Sequence, residues 1–314
     1  MKRVRPSTFR SPRLCFPLLL ATLACTRASS LDATPTTTAP GTASANTAPS
    51  AEPATAESSD PAPPGDDDAS VFVEERVRFA SGPRTLGGFL YRPHGSGPWP
   101  AVLFNHGTER KPGKTPGQAS FYVAQGYLLF SPHRRGQGLS ADGGEYWDDV
   151  WRKSGRDPKV LVDQLDAQME DISAAVTYLQ HRPDVDPKRI AVAGCSYGGI
   201  EALLAAERVD GIRAAVDFGG GAEMWATQGP LRDRMTRAAR TARVPVLFVQ
   251  AENDYDLAPS RGLGAEMVDA GRASKVAVFP PNGTTREAGH GLCAAFPSPV
   301  WGDTVAAFLR ENSR

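Results

Sequence analysis

The chain has 314 residues, with 35 Lys and Arg against 35 Asp and Glu, so its formal net charge is zero. That balance excludes a strongly basic nucleic-acid binder and a strongly acidic solvating chain. The length allows one large domain or two, and the 40% hydrophobic average hides three compositionally different parts. Residues 1–24 carry five basic residues, Lys2, Arg3, Arg5, Arg10 and Arg13, and no acid. Without them, 30 basic residues face 35 acidic ones. The apolar run from Leu14 to Ala24 is too short to span a bilayer as a helix, and Pro17 interrupts it. Residues 1–24 therefore read as a secretory signal peptide.

Cys25 stands directly after the small residue Ala24. This resembles a bacterial lipoprotein signal, which implies cleavage before Cys25 and lipidation of that residue. The alternative is a plain signal peptide with an incidental cysteine. From Thr26 to Ser70, 33 of 45 residues are Ala, Thr, Ser or Pro, and none is aromatic. Such a stretch cannot bury enough apolar surface to offset its ordering entropy, so 26–70 is expected to be a disordered linker. Behind a lipidated cysteine it would tether a domain to a membrane.

From residue 71 the composition turns globular, and 71–314 reads as one domain. Phe72–Phe79 and Gly88–Pro93 predict two short strands forming an edge hairpin. Ala101–Asn105 and Leu128–Phe130 predict buried strands, with a helix over Gln118–Gln125 between them. Leu161, Leu165, Ile172, Val176 and Leu179 recur at near-helical spacing and predict a helix over Val160–His181. A strand at Arg189–Gly194 and a helix at Ile200–Arg208 follow. Strands at Ile212–Phe218, Val244–Ala251 and Lys275–Phe279, with helices near Ser260–Ala270 and Val300–Asn312, complete the series. Strands alternating with helices predict a mostly parallel sheet covered on both faces, an α/β fold.

The strongest motif is Gly194-Cys195-Ser196-Tyr197-Gly198, a Gly-x-Ser-x-Gly between a predicted strand and a predicted helix. That context makes Ser196 a candidate nucleophile on a tight turn; the competing reading is a Gly-rich turn around a buried serine. A serine hydroxyl needs a base, and the base needs an orienting carboxylate. Of His94, His106, His133, His181 and His290, only His290 lies after Ser196, in a flexible loop beyond the last predicted strand. The loop after Ala251 offers Glu252, Asp254 and Asp256. Asp254 is preferred because the fold that the Ser196 motif resembles usually places its acid three residues past the small residue ending this strand, with Asp256 second and the unused acids left as a solvated face. Two backbone donors should form an oxyanion hole: Tyr197 N–H, and Thr108 N–H in the loop after Asn105, with Glu109 as its alternative. His106 is read as a packing and hydrogen-bonding residue.

With these residues in place the chain resembles an α/β-hydrolase, and more narrowly the dienelactone-hydrolase-like and prolyl-oligopeptidase-like branches. Asn105-His106-Gly107, Arg135-Gly136-Gln137-Gly138-Leu139-Ser140, the Ser196 turn, the Asp254 loop and Gly289-His290-Gly291 carry the likeness. It implies a serine hydrolase cleaving a small-molecule carboxylic ester without metal or cofactor; with the signal segment and the charge balance, the expectation is an exported enzyme with no nucleic-acid partner and no membrane contact beyond the lipid. A small-peptide peptidase, an acyltransferase and an inactive surface-displayed binding module are the alternatives. Dienelactone hydrolases proper carry Cys where Ser196 stands, which turns the expectation from dienelactone toward ordinary esters. No propeller domain of the prolyl-oligopeptidase kind is expected ahead of residue 71. Cys195 and Cys293 each lie within three residues of a proposed triad member. Two independent buried thiols are expected there, with a disulfide as the alternative. Tyr146, Trp147, Trp151 and Trp225 are candidates to line the substrate pocket.

Overall fold

Strands made almost wholly of apolar residues need a helical layer on each face, and this chain supplies both. In the computed structural model the described residues are 71–297 and 299–313; the signal segment, Cys25 and the 26–70 linker lie outside them. β1 (Val73–Ser81) and β2 (Arg84–Arg92) form an antiparallel hairpin at one edge. Then come β3 (Trp99–Asn105), α1 (Pro116–Ala124), β4 (Leu128–Pro132), α2 (Trp147–Lys153) and α3 (Pro158–Gln180). β5 (Val185–Cys195), α4 (Tyr197–Arg208), β6 (Ile212–Phe218) and α5 (Gly229–Thr241) follow. β7 (Val246–Ala251), α6 (Ala258–Asp269), β8 (Ser274–Phe279), α7 (Arg286–His290) and α8 (Gly302–Asn312) complete the order.

The eight strands form one sheet in the order β1-β2-β4-β3-β5-β6-β7-β8. β2 pairs antiparallel with β4, and every pairing from β4 to β8 is parallel. Side chains alternate across the sheet. Ala101 and Leu103 of β3, with Ile190 and Val192 of β5, join the core shared with α2 to α6. Val102, Phe104, Ala191 and Ala193 point the other way, into the core shared with α1 and α8. A side chain as large as the fully buried Leu103 contributes roughly 1.5–3 kcal/mol by leaving water. The result is an α/β-hydrolase fold. Strand order reverses around β3, and the C-terminal ends of β3, β5, β6 and β7 converge at that switch, where such sheets place their sites.

Three helices, α2, α5 and the short α7, lie where none was predicted. In α5, Leu231, Met235, Ala238 and Ala239 face the core at helical spacing, but Arg234 completes the buried stripe. Its Nε donates to Asp166 at 2.8 Å and its Nη2 to Glu207 at 2.5 Å, while Nη1 is buried without a partner among the described residues, so a residue that reads as polar is packed as core. α2 is only seven residues long, and its two tryptophans suggest a pocket lining when read without their neighbours. α3 starts two residues earlier than expected, with Pro158 in its first turn and the Asp157 side chain accepting from Lys159 N–H. β2 starts four residues earlier because its pairing with β1 extends through Arg84.

Candidate active site

Ser196 stands alone between the end of β5 and the start of α4, at φ 57° and ψ −116°. A non-glycine residue in that region costs on the order of 1–3 kcal/mol, which the surrounding structure must offset. The Ser196 N–H donates to Phe218 O at 2.8 Å, tying the turn to β6. A Cβ on Gly194 would overlap the Gly198 carbonyl, and a Cβ on Gly198 would overlap that of Asn105. The glycines of the motif are there because backbone meets backbone.

His290 reaches this turn from the opposite direction. It ends the short helix α7 rather than sitting in a flexible loop; the Thr285 side chain caps that helix by accepting from Ala288 N–H. Its Nε2 lies 2.8 Å from Ser196 Oγ and its Nδ1 lies 2.8 Å from Asp254 Oδ1. A carboxylate can only accept from the ring, so Nδ1 carries the proton and Nε2 accepts the serine hydroxyl. Burial disfavours the charged imidazole, but the Asp254 hydrogen bond and charge, with smaller pulls from Glu223 and Asp217, hold it above its ordinary 6.5. The Tyr255 ring meets it edge-on at 5.2 Å.

Of the three candidate acids, Asp254 is the one against His290. It is buried, and it also accepts from Tyr255 N–H at 2.7 Å and Gln250 Nε2 at 2.8 Å. Asp256 is not simply a solvated acid: its Oδ1 accepts from Ala258 N–H at 2.8 Å at the start of α6. Glu252 is exposed.

Ser196, Tyr197, Thr108 and Ile200 line a narrow cleft together with the 221–224 turn. Glu109 is not part of that lining. Neither Thr108 N–H nor Tyr197 N–H donates to a backbone acceptor among the described residues, as expected for the first residue of a helix and a loop residue beside it. The Thr108 loop is held from behind. Arg134, almost fully buried, donates to His106 O at 2.9 Å and Gly107 O at 3.1 Å. It also makes a two-pronged pair with Glu201 of α4 at 2.7 and 2.6 Å, and lies 4.5 Å over the Tyr197 ring. Gln137 Nε2 donates to Glu109 O at 2.5 Å, and Tyr146 OH to Thr108 O at 2.5 Å. His106 has the packing role expected of it: its Nε2 accepts from Arg134 N–H at 3.2 Å, and burial, helped by the Arg134 charge, lowers its pKa to about 4.

Several residues differ from expectation. Trp147 and Trp151 are buried against the α3 and α4 core, with the Trp147 ring tilted against that of Tyr197 at 4.7 Å, so they support the Ser196 helix instead of lining the cleft. Met224 lines it rather than Trp225. Cys195 and Cys293 are not independent thiols; they form a disulfide spanning 98 positions. Asp217, at the end of β6, was missed altogether. It is 1% exposed, accepts from Gly220 N–H at 2.7 Å through Oδ1, and has no partner for Oδ2 among the described residues. Burial, with the nearby Asp254 charge, pushes it up to about 7 against the Gly220 hydrogen bond and the His290 charge. Among the described residues, no group of three or more His, Cys, Asp or Glu is placed to hold a metal ion.

The model of the dienelactone hydrolase family matches residues 86–295, a span that runs from β2 past His290. The chain belongs to that family. It is 30% identical over 148 residues to the "Uncharacterized peptidase YtmA" of Bacillus subtilis (strain 168), covering 46% of this chain and 51% of that protein. It is 28% identical over 143 residues to the "Quorum-quenching protein AidA" of Acinetobacter baumannii (strain MDR-ZJ06), covering 45% and 41%. The matched stretch thus spans about half or less of each curated relative. Among solved structures, an acylaminoacyl peptidase of Pyrococcus horikoshii superposes with a TM-score of 0.57 at 19% identity, over 77% of this chain and 41% of that one. An esterase of Pyrococcus furiosus gives 0.58 at 16% identity, over 77% and 92%. At these identities the likeness is one of fold.

Proposed function

We propose that this member of the dienelactone hydrolase family is an exported serine esterase that works through Ser196, His290 and Asp254 and an acyl-enzyme intermediate. The observation that carries the reading is the unbroken hydrogen-bond chain from Ser196 Oγ through His290 to Asp254 Oδ1, both links at 2.8 Å. Ser196 attacks the ester carbonyl while His290 Nε2 takes its proton, and Asp254 holds the imidazole and stabilises its charged form. The oxyanion forms between the N–H groups of Tyr197 and Thr108, at the positive end of α4. His290 then protonates the departing alcohol, and water repeats the sequence on the acyl group. Tyr146, Gln137 and Arg134 fix the Thr108 loop beforehand, so little reorganisation accompanies the reaction.

A small peptide is the second substrate class. It is favoured by the name of one relative and the acylaminoacyl peptidase among the structures. Export, with Cys25 lipidated, is part of the proposal; the Cys195–Cys293 disulfide supports it because such bonds persist in oxidising compartments. The test is fluorophosphonate labelling of the full chain, with turnover of p-nitrophenyl acetate and butyrate beside aminoacyl p-nitroanilides. Labelling and ester turnover should both vanish in Ser196→Ala and His290→Ala. Folded wild-type protein that neither labels nor turns over would leave the binding-module reading standing. Fatty-acid labelling lost in Cys25→Ser checks the anchor.

A further inference from the structure

His290 belongs to a segment with two kinds of anchor, and they lead to different partners. On its N-terminal side the Asn253 side chain, in the loop that carries Asp254, donates to Asn282 O at 3.1 Å and Thr285 O at 2.8 Å. Asn253 Oδ1 accepts from Asn282 N–H at 2.9 Å, and Asn282 Nδ2 donates to Ala288 O at 2.5 Å. These bonds fix the base relative to its acid. On the C-terminal side, Trp301 Nε1 donates to Leu292 O at 2.8 Å, which ties the segment to the start of α8. The covalent link is different: Cys293, three residues past His290 and 6% exposed, is bonded to Cys195, the residue before Ser196. Of these anchors, it alone joins the base's segment directly to the nucleophile's strand.

We infer that Cys195 and Cys293 are positioning residues whose disulfide sets the distance between His290 and Ser196, so that opening it switches the hydrolase down without unfolding it. The inference rests on the triad reading proposed above. The step balances with an external dithiol: its thiolate attacks one sulfur, giving a mixed disulfide. Its second thiol then closes a ring, and the dithiol is oxidised by two electrons while Cys195 and Cys293 leave as two thiols. The base stays on Asp254 through Asn253, but its approach to Ser196 loosens. A displacement near 1 Å at a reacting group costs on the order of a hundredfold in rate.

The experiment uses the full-length chain before and after dithiothreitol, with iodoacetamide and mass spectrometry to establish that Cys195 and Cys293 are joined and then free. The expected result is a kcat lower by about ten- to a hundredfold with KM little changed. Fluorophosphonate labelling should slow in parallel, the near-UV circular dichroism should be retained, and reoxidation should restore the rate. The acid limb of the pH profile should stay in place, because Asp254 still holds His290. The double variant Cys195→Ala/Cys293→Ala should show the lowered kcat and ignore reductant. Full kcat after verified opening overturns the inference, and so does loss of the near-UV signal together with activity, which would make the bond a general staple. Failure to find the bond in oxidised protein overturns it too. A chain that carries the bond yet neither labels nor turns over removes the triad reading and the inference with it. A chain equally active with and without the bond removes the inference alone.

Discussion

The two halves of the candidate site are held by different physics. On the nucleophile side, Ser196 and Thr108 are fixed through the core: Arg134 and Glu201 are both nearly inaccessible, and their pair joins the Thr108 loop to the helix that follows Ser196. On the base side, His290 sits on a five-residue helix held by the Asn253 and Asn282 side chains and by a disulfide. One half is rigid because an ion pair is buried in it, and a break there is felt as lost stability. The other half is a surface segment pinned at discrete points, and a break there is felt as lost rate.

Substitutions at four residues sharpen that contrast. The largest effect is expected on the base side, where Asp254→Asn should lower kcat by about ten-thousandfold through the wrong imidazole tautomer. Stability at pH 8 should change little. Because Asp254 holds His290 above its ordinary value, wild-type activity should rise with pH along a limb lying above 6.5. In Asp254→Asn, burial remains without the carboxylate, and the limb of the residual activity should move to lower pH. The sign for stability is the reverse: a raised imidazole contributes fully below its unfolded value and loses that contribution as pH rises through the folded one. Urea titrations between pH 6 and 9 would therefore show that loss in the wild type and not in Asp254→Asn.

Next in size is Arg134→Met on the nucleophile side. It leaves Glu201 buried without its partner and should cost about 3–5 kcal/mol in urea unfolding. Adding Glu201→Leu should recover most of that stability. If it does not, the contacts of Arg134 to the carbonyls of His106 and Gly107 matter more than the pair.

The smallest effect concerns Asp217, which lies between the two halves. Its folded value near 7 stands above the 3.8 of a free carboxyl, so the folded chain holds a proton that the unfolded chain releases. Stability should fall as pH rises from about 4 to about 7. Asp217→Asn keeps an acceptor for Gly220 N–H and removes the charge. It should flatten that fall and gain on the order of 2 kcal/mol at pH 8.

Much of this was legible in the sequence, and for local reasons. The strand and helix periodicities placed β6 to the residue and α4 to within a turn. Gly194 and Gly198 marked the Ser196 turn because any side chain at those positions would have no room. Chain order left His290 as the one histidine after Ser196, and spacing favoured Asp254 over its two neighbours; the structure brings all three side chains together. Where the reading went astray, local pattern was a poor guide. Arg234 disguised α5 because its charge is cancelled by Asp166 and Glu207 on other helices. Trp147 and Trp151 looked like pocket residues only until α3 and α4 were packed against them.

The sequence by itself determined the alternation of strands and helices and the turn that exposes Ser196, since each is written in residue types within a few positions of one another, and chain order singled out Asp254 and His290 as the candidates to follow it. Only the tertiary structure decided that Cys195 meets Cys293, that Arg134 meets Glu201, and that Asp217 is sealed in beside Asp254 and His290. Those pairings join residues tens of positions apart. Whether a thiol, a guanidinium or a carboxyl finds its partner depends on which strand ends the sheet order brings together, and no local pattern carries that distance.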